Sequence, residues 1–496
     1  MVKIRKFIVS IDQGTTSSRA ILFDTNGKSL FKSQLEFKQY FPKNGWVEHN
    51  PNEIWDKTRK VLLNVISMSK KLRGKILTIG ITNQRETTIL WDKVTGKPVY
   101  NAIVWQDRRT AEFCNKFRSK KNEHMINKKT GLLIDPYFSG TKIKWIIENV
   151  SKAKKLLKKK QIFFGTVDTF LLWKLSKGKI HCTDATNASR TMLYNISTNS
   201  WDRQILKKLK IPSHILPEIK NSSDHFGYTH KSITKASYSI SAVVGDQQAA
   251  TIGQCCFEKG SVKSTYGTGA FILMNTGNKK IYSKNKLLTT VCYRINNKTT
   301  YALEGSIFIA GAGVQWLRDK IKLIKKASNT EKIIKSLKDN GGVYLVPAFV
   351  GLGAPYWNSK ARGILTGLTR DTNSKQIIRA TIESTAYQSF DLFSAMKKDG
   401  LKPKLIKIDG GMVKNNWFSQ FLSDILKIKV YRSKNDETTA LGAALMAGLQ
   451  IGVFNSLNDI AKKWKLSKKF HPKINNSKRQ KLLKGWSLAI KKTLMH

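Results

Sequence analysis

Cysteine is scarce: the 496 residues include five, at 114, 182, 255, 256 and 292. None sits at metal-ligand spacing, and an odd count argues against a disulfide framework. Cys255 and Cys256 are adjacent, where a bridge is strained, so reduced and buried thiols are expected. No stretch supplies the ~18 unbroken apolar residues of a membrane span. The opening MVKIRKFIVS has no sustained apolar segment of the kind a leader carries, and a cytoplasmic protein is expected. No Pro/Gly/Ser-rich linker interrupts the chain. Acidic residues are also few, 33 Asp and Glu against 88 Lys and Arg, a formal net charge of +55.

Such a balance usually points to nucleic acid. Here, however, the excess is spread along the whole chain, largely as lysine (Lys154, Lys155, Lys158, Lys159, Lys160; Lys462, Lys463, Lys465). Recognition surfaces concentrate arginine and aromatics at selected sites, and that clustering is missing. A specific nucleic-acid partner is therefore not expected, only nonspecific association at low salt. The hydrophobic content of 41% suits a folded chain. Its length suits two or more domains.

What is present begins almost at once. SIDQGTTSSRAILFD (10–24) reads as strand, tight turn, strand. Its centre collects Asp12, Gly14, Thr15, Thr16, Ser17 and Ser18, more acid, glycine and hydroxyl than a plain turn needs. SVKSTYGTGAFILMNTG (261–277) repeats the design with Ser264, Thr265, Gly267, Thr268 and Gly269. Glycine lets backbone N–H groups approach an anion, and hydroxyls donate to its oxygens. Two such hairpins suggest two related α/β domains that grip a polyphosphate from opposite sides. The boundary is expected near 253–260, giving an N-terminal domain of residues 1–253 and a C-terminal domain of 254–496. No GxxxxGK[ST] occurs, and no GxGxxG follows an opening strand, which sets aside the Walker and dinucleotide loops.

Between the hairpins, apolar spacing predicts helices over 54–72 and 141–160 and a strand over 75–84. In LIKIDGGMVKNNWFSQFLSDIL (405–426) a strand runs into Asp409-Gly410-Gly411 and then a helix from about Asn416. A small pair at such a turn lets a flat ring lie against the backbone. TTALGAALMAGLQIG (438–452) is a helix faced with Ala and Gly. Its face suits close packing where domains hinge, and equally an ordinary tight core.

Together these pieces resemble the two phosphate segments, the adenosine segment and the connecting helix of the actin-like ATPase fold. More narrowly, the chain resembles the FGGY carbohydrate kinases, and among them the members that phosphorylate glycerol. The likeness runs nearly end to end: DQGTTSSR (12–19), GWVEHNP (45–51), GITNQRETT (80–88), VWQDRRT (104–110), DPYFSGTKIKW (135–145), TDATNASRTML (183–193), GDQQAA (245–250), STYGTGAF (264–271), EGSIFIAGAGVQWLRD (304–319), FVGLGAPYW (349–357), ARGILTGLTR (361–370) and DGGMVKNN (409–416). The glycine-rich turns are shared widely. NQRETT, DPYFSGTK and GDQQAA are far more specific.

The resemblance implies two RNase H-like α/β domains with a cleft between them, and ATP-dependent conversion of glycerol to sn-glycerol 3-phosphate. It places polyol contacts on Arg85, Glu86, Tyr137, Asp246 and Gln247, with Trp105 and Phe271 as an apolar wall behind the carbons. Such a set pairs donors and acceptors to hydroxyls. For ATP it implies Thr15, Thr16, Ser17 and Arg19 from the first hairpin and Thr268 from the second. Gly311 and Gln315 follow in AGAGVQW, with Gly411 and Asn415 at the adenine turn. Mg²⁺ would be met by Asp12 through water and by Asp246. Asp246 would also take the proton of the attacking hydroxyl. A homo-oligomer, dimer or tetramer, is implied as well.

Three departures qualify the resemblance. Asp107 stands where some relatives carry a small neutral residue, and the sequence offers no reason for it. HFGYTHKSITKASYSISAVVGD (225–246) lacks the glycine-rich basic loop that resembles a fructose 1,6-bisphosphate site in some bacterial members. Lys478 replaces a glutamate that such members use to dock a sugar-transport regulator. Other readings remain: a kinase for a pentose, pentulose or similar polyol, a scaffold that keeps the fold without chemistry, or a basic RNA-associated protein. Intact Asp12, Arg85, Glu86 and Asp246 argue against the scaffold.

Overall fold

The opening strand is apolar on both faces, and it lies at the centre of a sheet. The computed structural model describes residues 4–495. β1 (Arg5–Gln13) is buried from Phe7 onward, as expected of a strand covered on both sides. It pairs antiparallel with β2 (Ser17–Asp24), which pairs with β3 (Ser29–Glu36). On its other side β1 runs parallel to β4 (Gly74–Asn83), and β4 to β5 (Ile240–Gly245). The order is β5-β4-β1-β2-β3. β3 is the edge, and its alternating burial shows one wetted face.

A second sheet repeats this plan. β6 (Val262–Tyr266) and β7 (Ala270–Gly277) form the central hairpin. β8 (Leu288–Ile295) and β9 (Lys298–Ile307) extend it on one side. β10 (Leu405–Asp409), β11 (Lys429–Ser433) and β12 (Leu466–Phe470) follow on the other. The run β11-β10-β6-β7-β9 reproduces β5-β4-β1-β2-β3 in order, with both parallel pairs in the same places.

The chain divides into two compact units. The first holds the chain through Phe257 together with Thr289–Tyr301 and Glu437–Lys463. The second holds Glu258–Leu288, Ala302–Asp436 and the chain from Trp464 on. The first core joins Val9, Ile11, Leu22, Ile79 and Ile81 of the sheet to Ile54, Val61, Leu62 and Val65 of helix Pro51–Lys71. That helix begins at Pro51 rather than at the expected residue 54, because a cap and a proline sit just ahead of its apolar pattern. The Asn50 side chain accepts from Asn52 N–H, Pro51 opens the first turn, and Lys70 and Lys71 close the last. In the second unit, Ile272, Met274, Ile406, Ile408 and Val430 meet Phe418 and Leu422 of helix Asn416–Leu426.

One expectation is corrected. Residues 141–160 form two helices, Ser139–Asn149 and Ser151–Lys158, separated by an extended Val150. Asn149, Val150 and Ser151 are three weak helix formers in a row. Asn149 also spends its side-chain amide on the Trp145 carbonyl, 2.9 Å away, as such residues do when they compete with the helix.

Helix Thr438–Gln450 belongs to the first unit, and its small face has a structural use there. A Cβ on Gly442 would lie 1.8 Å from the carbonyl oxygen of Ala249. Only glycine lets this helix touch helix Asp246–Gly253 so closely.

Candidate functional site

In the first unit, the ends of β1, β4 and β5 bring three separate segments together. β5 ends at Gly245, and Asp246 opens the following helix. β4 ends at Asn83, and the chain then turns through Gln84–Thr87. Thr87 N–H bonds back to the Arg85 carbonyl at 2.7 Å, and Glu86 between them has φ +60°. This tight three-residue turn is a strained conformation of the kind that persists only when its surroundings hold it. Here they do. Ser139 and Thr88 hydroxyls donate to the Glu86 carbonyl at 2.9 and 3.1 Å, and Arg190 Nε donates to Glu86 Oε1 at 2.6 Å.

Arg85 is buried beside it. Its Nε lies 3.3 Å from Asp246 Oδ1 and 3.8 Å from Glu86 Oε1, and its Nη1 donates to Gln248 Oε1 at 3.1 Å. Arg85, Glu86 and Asp246 therefore form one charge-paired cluster. Buried charges persist only when paired in this way. The Glu86 side chain is 2% exposed and that of Asp246 27%, so Asp246 is the cluster's open carboxylate. Gln247 follows it, buried, with its carbonyl accepting from Thr251 Oγ1.

Trp105 and Tyr137 meet edge to face, with centroids 5.8 Å apart. Arg190 lies over the Tyr137 ring at 5.5 Å. Trp105 Nε1 donates to Thr15 Oγ1 at 3.0 Å, which ties the aromatic pair to the first hairpin. Thr15 and the exposed Thr16 occupy the turn, whereas Ser17 and Ser18 already belong to β2. Ser18 faces the core and accepts from Thr58 Oγ1.

Asp12 and Arg19 are cross-strand partners joined at 2.6 Å. Arg19 Nη1 continues to Glu437 Oε2 at 3.1 Å. Burial lifts the Asp12 pKa above the ordinary carboxylate value, and Arg19 opposes that rise.

Phe271 belongs to the second unit, on β7 opposite Thr265. That unit has its own cavity of about 500 Å³, lined by Gly267, Thr268, Gly311, Gln315, Gly411 and Asn415 among others. All five residues expected to meet ATP from this half of the chain are there. Gly410, at φ +97°, packs so close to the neighbouring strand that a Cβ there would lie 2.4 Å from the Tyr266 carbonyl oxygen, which no side chain permits. A Cβ on Gly411 would meet only open space, which leaves room for a flat ring against the backbone. The Asn415 side chain is engaged elsewhere. Its Oδ1 caps helix Asn416–Leu426 through Phe418 N–H, and its Nδ2 donates to Thr330 Oγ1 at 3.3 Å.

Sequence reasoning missed Arg190, Gln248 and the surroundings of Asp107. The signal for Arg190 was a lone arginine among the small residues of TDATNASRTML. Asp107 now has a reason. It accepts from Val47 N–H at 2.6 Å and from Arg109 at its main-chain N, Nε and Nη2. The Arg109 side chain is fully buried, its guanidinium 3.8 Å from the Trp46 ring centre and 4.7 Å from that of Trp145, with Glu48 as a second carboxylate. Asp107 thus neutralises a caged arginine and fixes the loop that carries Trp105.

Among the described residues, no three His, Cys, Asp or Glu side chains cluster as a metal site. No helix among the described residues is long and apolar enough to cross a membrane.

A duplicated five-strand plan, with a hydroxyl-and-glycine hairpin at each centre and a nucleotide-sized cavity beside one of them, defines a two-domain kinase of the actin-like ATPase fold. Family models agree at both ends. Residues 7–253 match the N-terminal domain and 262–451 the C-terminal domain of the FGGY family of carbohydrate kinases. The chain belongs to that family. It is 54% identical over 490 residues to a glycerol kinase of Petrotoga mobilis, covering 99% of this chain and 98% of the relative. It is 52% identical to a glycerol kinase of Ectopseudomonas mendocina, covering 98% and 99%. The crystal structure of Plasmodium falciparum glycerol kinase with ADP superimposes with a TM-score of 0.92 at 40% identity, covering 99% of both chains.

Proposed function

We propose that this enzyme transfers the γ-phosphate of ATP to a terminal hydroxyl of glycerol, giving sn-glycerol 3-phosphate. The observation that carries the reading is the charge-paired cluster of buried Arg85 and Glu86 with the more open Asp246, in the same unit as the Trp105–Tyr137 pair. Glycerol offers three hydroxyls and a hydrocarbon back, and the two halves of that site answer to each. Glycerol kinases at 52–54% identity over nearly the full chain support the same substrate.

Asp246 is the residue we assign to the proton. A glycerol hydroxyl is not ionised at neutral pH, so its proton leaves as the bond to phosphorus forms. The Asp246 carboxylate is anchored at Oδ1 by Gln247 N–H at 2.7 Å and by Arg85. It is also more open than Glu86 or Asp12, with side chains 2% and 3% exposed. Arg85, Glu86, Tyr137 and Gln247 orient the hydroxyls, and Trp105 and Phe271 contact the carbons. Thr15, Thr16 and Ser17 donate to phosphate oxygens, Thr268 does so from the second hairpin, and Arg19 adds positive charge. Gly311, Gln315, Gly411 and Asn415 hold the nucleoside. Positioning and charge compensation supply most of the acceleration in such transfers.

Mg²⁺ fits the donor set as an ion carried mainly by phosphate oxygens and water. Asp12, already bound to Arg19, suits contact through a bridging water, and the ion would neutralise developing phosphate charge. A coupled assay of ADP release across a panel of polyols, pentoses and pentuloses tests the reading. Glycerol should give the highest kcat/KM, and a pentulose as the preferred substrate would overturn it.

A further inference from the structure

Four consecutive residues, Ser139, Gly140, Thr141 and Lys142, form the first turn of helix Ser139–Asn149. Each is fixed to a different segment behind the polyol residues. Ser139 Oγ donates to the Glu86 carbonyl at 2.9 Å. Gly140 N–H donates to the Thr191 carbonyl at 2.7 Å, next to Arg190. The Thr141 hydroxyl pairs with that of Thr110 at 2.9 Å, at the end of the loop that carries Trp105. Lys142 Nζ donates to the Tyr137 carbonyl at 2.6 Å.

The lysine is the anomaly. Its side chain is fully buried, and a cation in the first turn of a helix opposes the helix dipole. Burying an ammonium also carries a large desolvation cost unless partners answer it. The charged groups around it are Asp107 and Arg108 from the Trp105 loop, Glu86 from the strained turn, and Asp135 from the segment before the helix. Two of these brace the same frame, because Arg108 Nη1 bonds Asp135 Oδ1 at 2.9 Å and Asp135 Oδ1 accepts from Tyr137 N–H at 2.8 Å. Tyr137 is thus held at both main-chain ends, its N–H by Asp135 and its carbonyl by Lys142.

We propose that Lys142 is a positioning residue for the polyol: it pins the Tyr137 main chain so that the ring stays against Trp105 and over the hydroxyl-binding cluster. The proposal rests on the glycerol reading above. Lys142 touches no reacting atom and acts only through Tyr137. Burial lowers its pKa to about 8, so the ammonium that grips the carbonyl is lost just above neutral pH and a weaker neutral donor remains.

The test measures glycerol and ATP kinetics for the wild type and for Lys142→Met at pH 7. Glycerol KM should rise about tenfold, the scale of one lost charge-assisted hydrogen bond. The KM for ATP and the kcat should stay within about twofold, as loss of ground-state positioning alone requires. Unchanged glycerol KM, or a parallel loss in kcat and both KM values, overturns the proposal. If the variant does not fold, the wild type decides. Its glycerol KM should climb between pH 7 and 9 while the KM for ATP stays level, and a flat glycerol KM over that range overturns the proposal. Where Lys142→Met does fold, that climb should disappear. No turnover of glycerol by the wild type overturns the functional reading and this proposal with it. Normal turnover with an indifferent Lys142→Met overturns this proposal alone.

Discussion

Glu86 shows how one side chain can be fixed by its own backbone. Its positive φ and its tight turn aim the carboxylate at Arg190 and leave Arg85 to face Asp246. Replacing Glu86 with Ala removes a buried charged partner, a loss of roughly 1.5–3 kcal/mol. Glycerol KM should therefore rise about ten- to a hundredfold while the KM for ATP changes little. Steady-state kinetics with each substrate varied in turn would expose an error as an unchanged glycerol KM. Asp246→Asn keeps shape and one hydrogen bond but cannot accept a proton. Its kcat should fall at least about a hundredfold, with ATP binding retained in equilibrium titration. Recovery on raising Mg²⁺, or a loss under about tenfold, would remove Asp246 from the base role. Arg85, Glu86, Tyr137 and Asp246 were named from NQRETT, DPYFSGTK and GDQQAA through the family resemblance. Their pairing was not legible, because Arg85 meets Asp246 and Glu86 meets Arg190 from segments far apart in the chain. Arg109 was not legible. Its cage draws on Trp46, Glu48 and Trp145, residues that only the folded chain brings together.

At the scale of elements, the contact between helices Asp246–Gly253 and Thr438–Gln450 controls where the head of the first helix lies. Gly442→Ala puts a methyl onto the Ala249 carbonyl, and backbone cannot yield as a flexible side chain does. The helices must separate, at about 1–3 kcal/mol. Urea unfolding should show that loss, and kcat should fall with it because Asp246 opens the displaced helix. A stable, fully active variant would contradict the packing account. The small-residue face was visible in the sequence, but its partner was not, since Ala249 lies nearly two hundred residues earlier.

A second element-scale device joins the C-terminal helix to the second core. Asp391, half-buried, accepts from Trp486 Nε1 at 2.8 Å and is hydrogen-bonded to Tyr356. Burial raises its pKa from 3.8 to about 7. The folded carboxyl keeps its proton where the unfolded one has lost it, so its contribution is full below about pH 4 and disappears as pH rises through about 7. Asp391→Asn cannot ionise. Its thermal midpoint relative to the wild type should be higher at pH 8 than at pH 5, and an equal offset at both would refute the assignment.

For the whole molecule, duplication was the most legible feature, because the same hydroxyl-and-glycine turn recurs in each half. Less legible was how the chain shares its length, with Thr289–Tyr301 and Glu437–Lys463 in the first unit. No composition shift marks those crossings. The formal charge of +55 acts at this scale too. Spread as lysine, it should hold the protein on an anionic matrix at low salt and release it as the Debye length shrinks to about 10 Å near 0.1 M. Retention well above that salt would indicate a specific polyanion site. The central claim is the transfer of phosphate to glycerol, and phosphorus NMR of a reaction with ATP, Mg²⁺ and glycerol tests it most directly. The account predicts ADP and a phosphomonoester on a terminal glycerol carbon in equal amounts, oxidised completely by an sn-glycerol 3-phosphate dehydrogenase. ADP with inorganic phosphate alone, or a glycerol phosphate that the dehydrogenase leaves untouched, would contradict it.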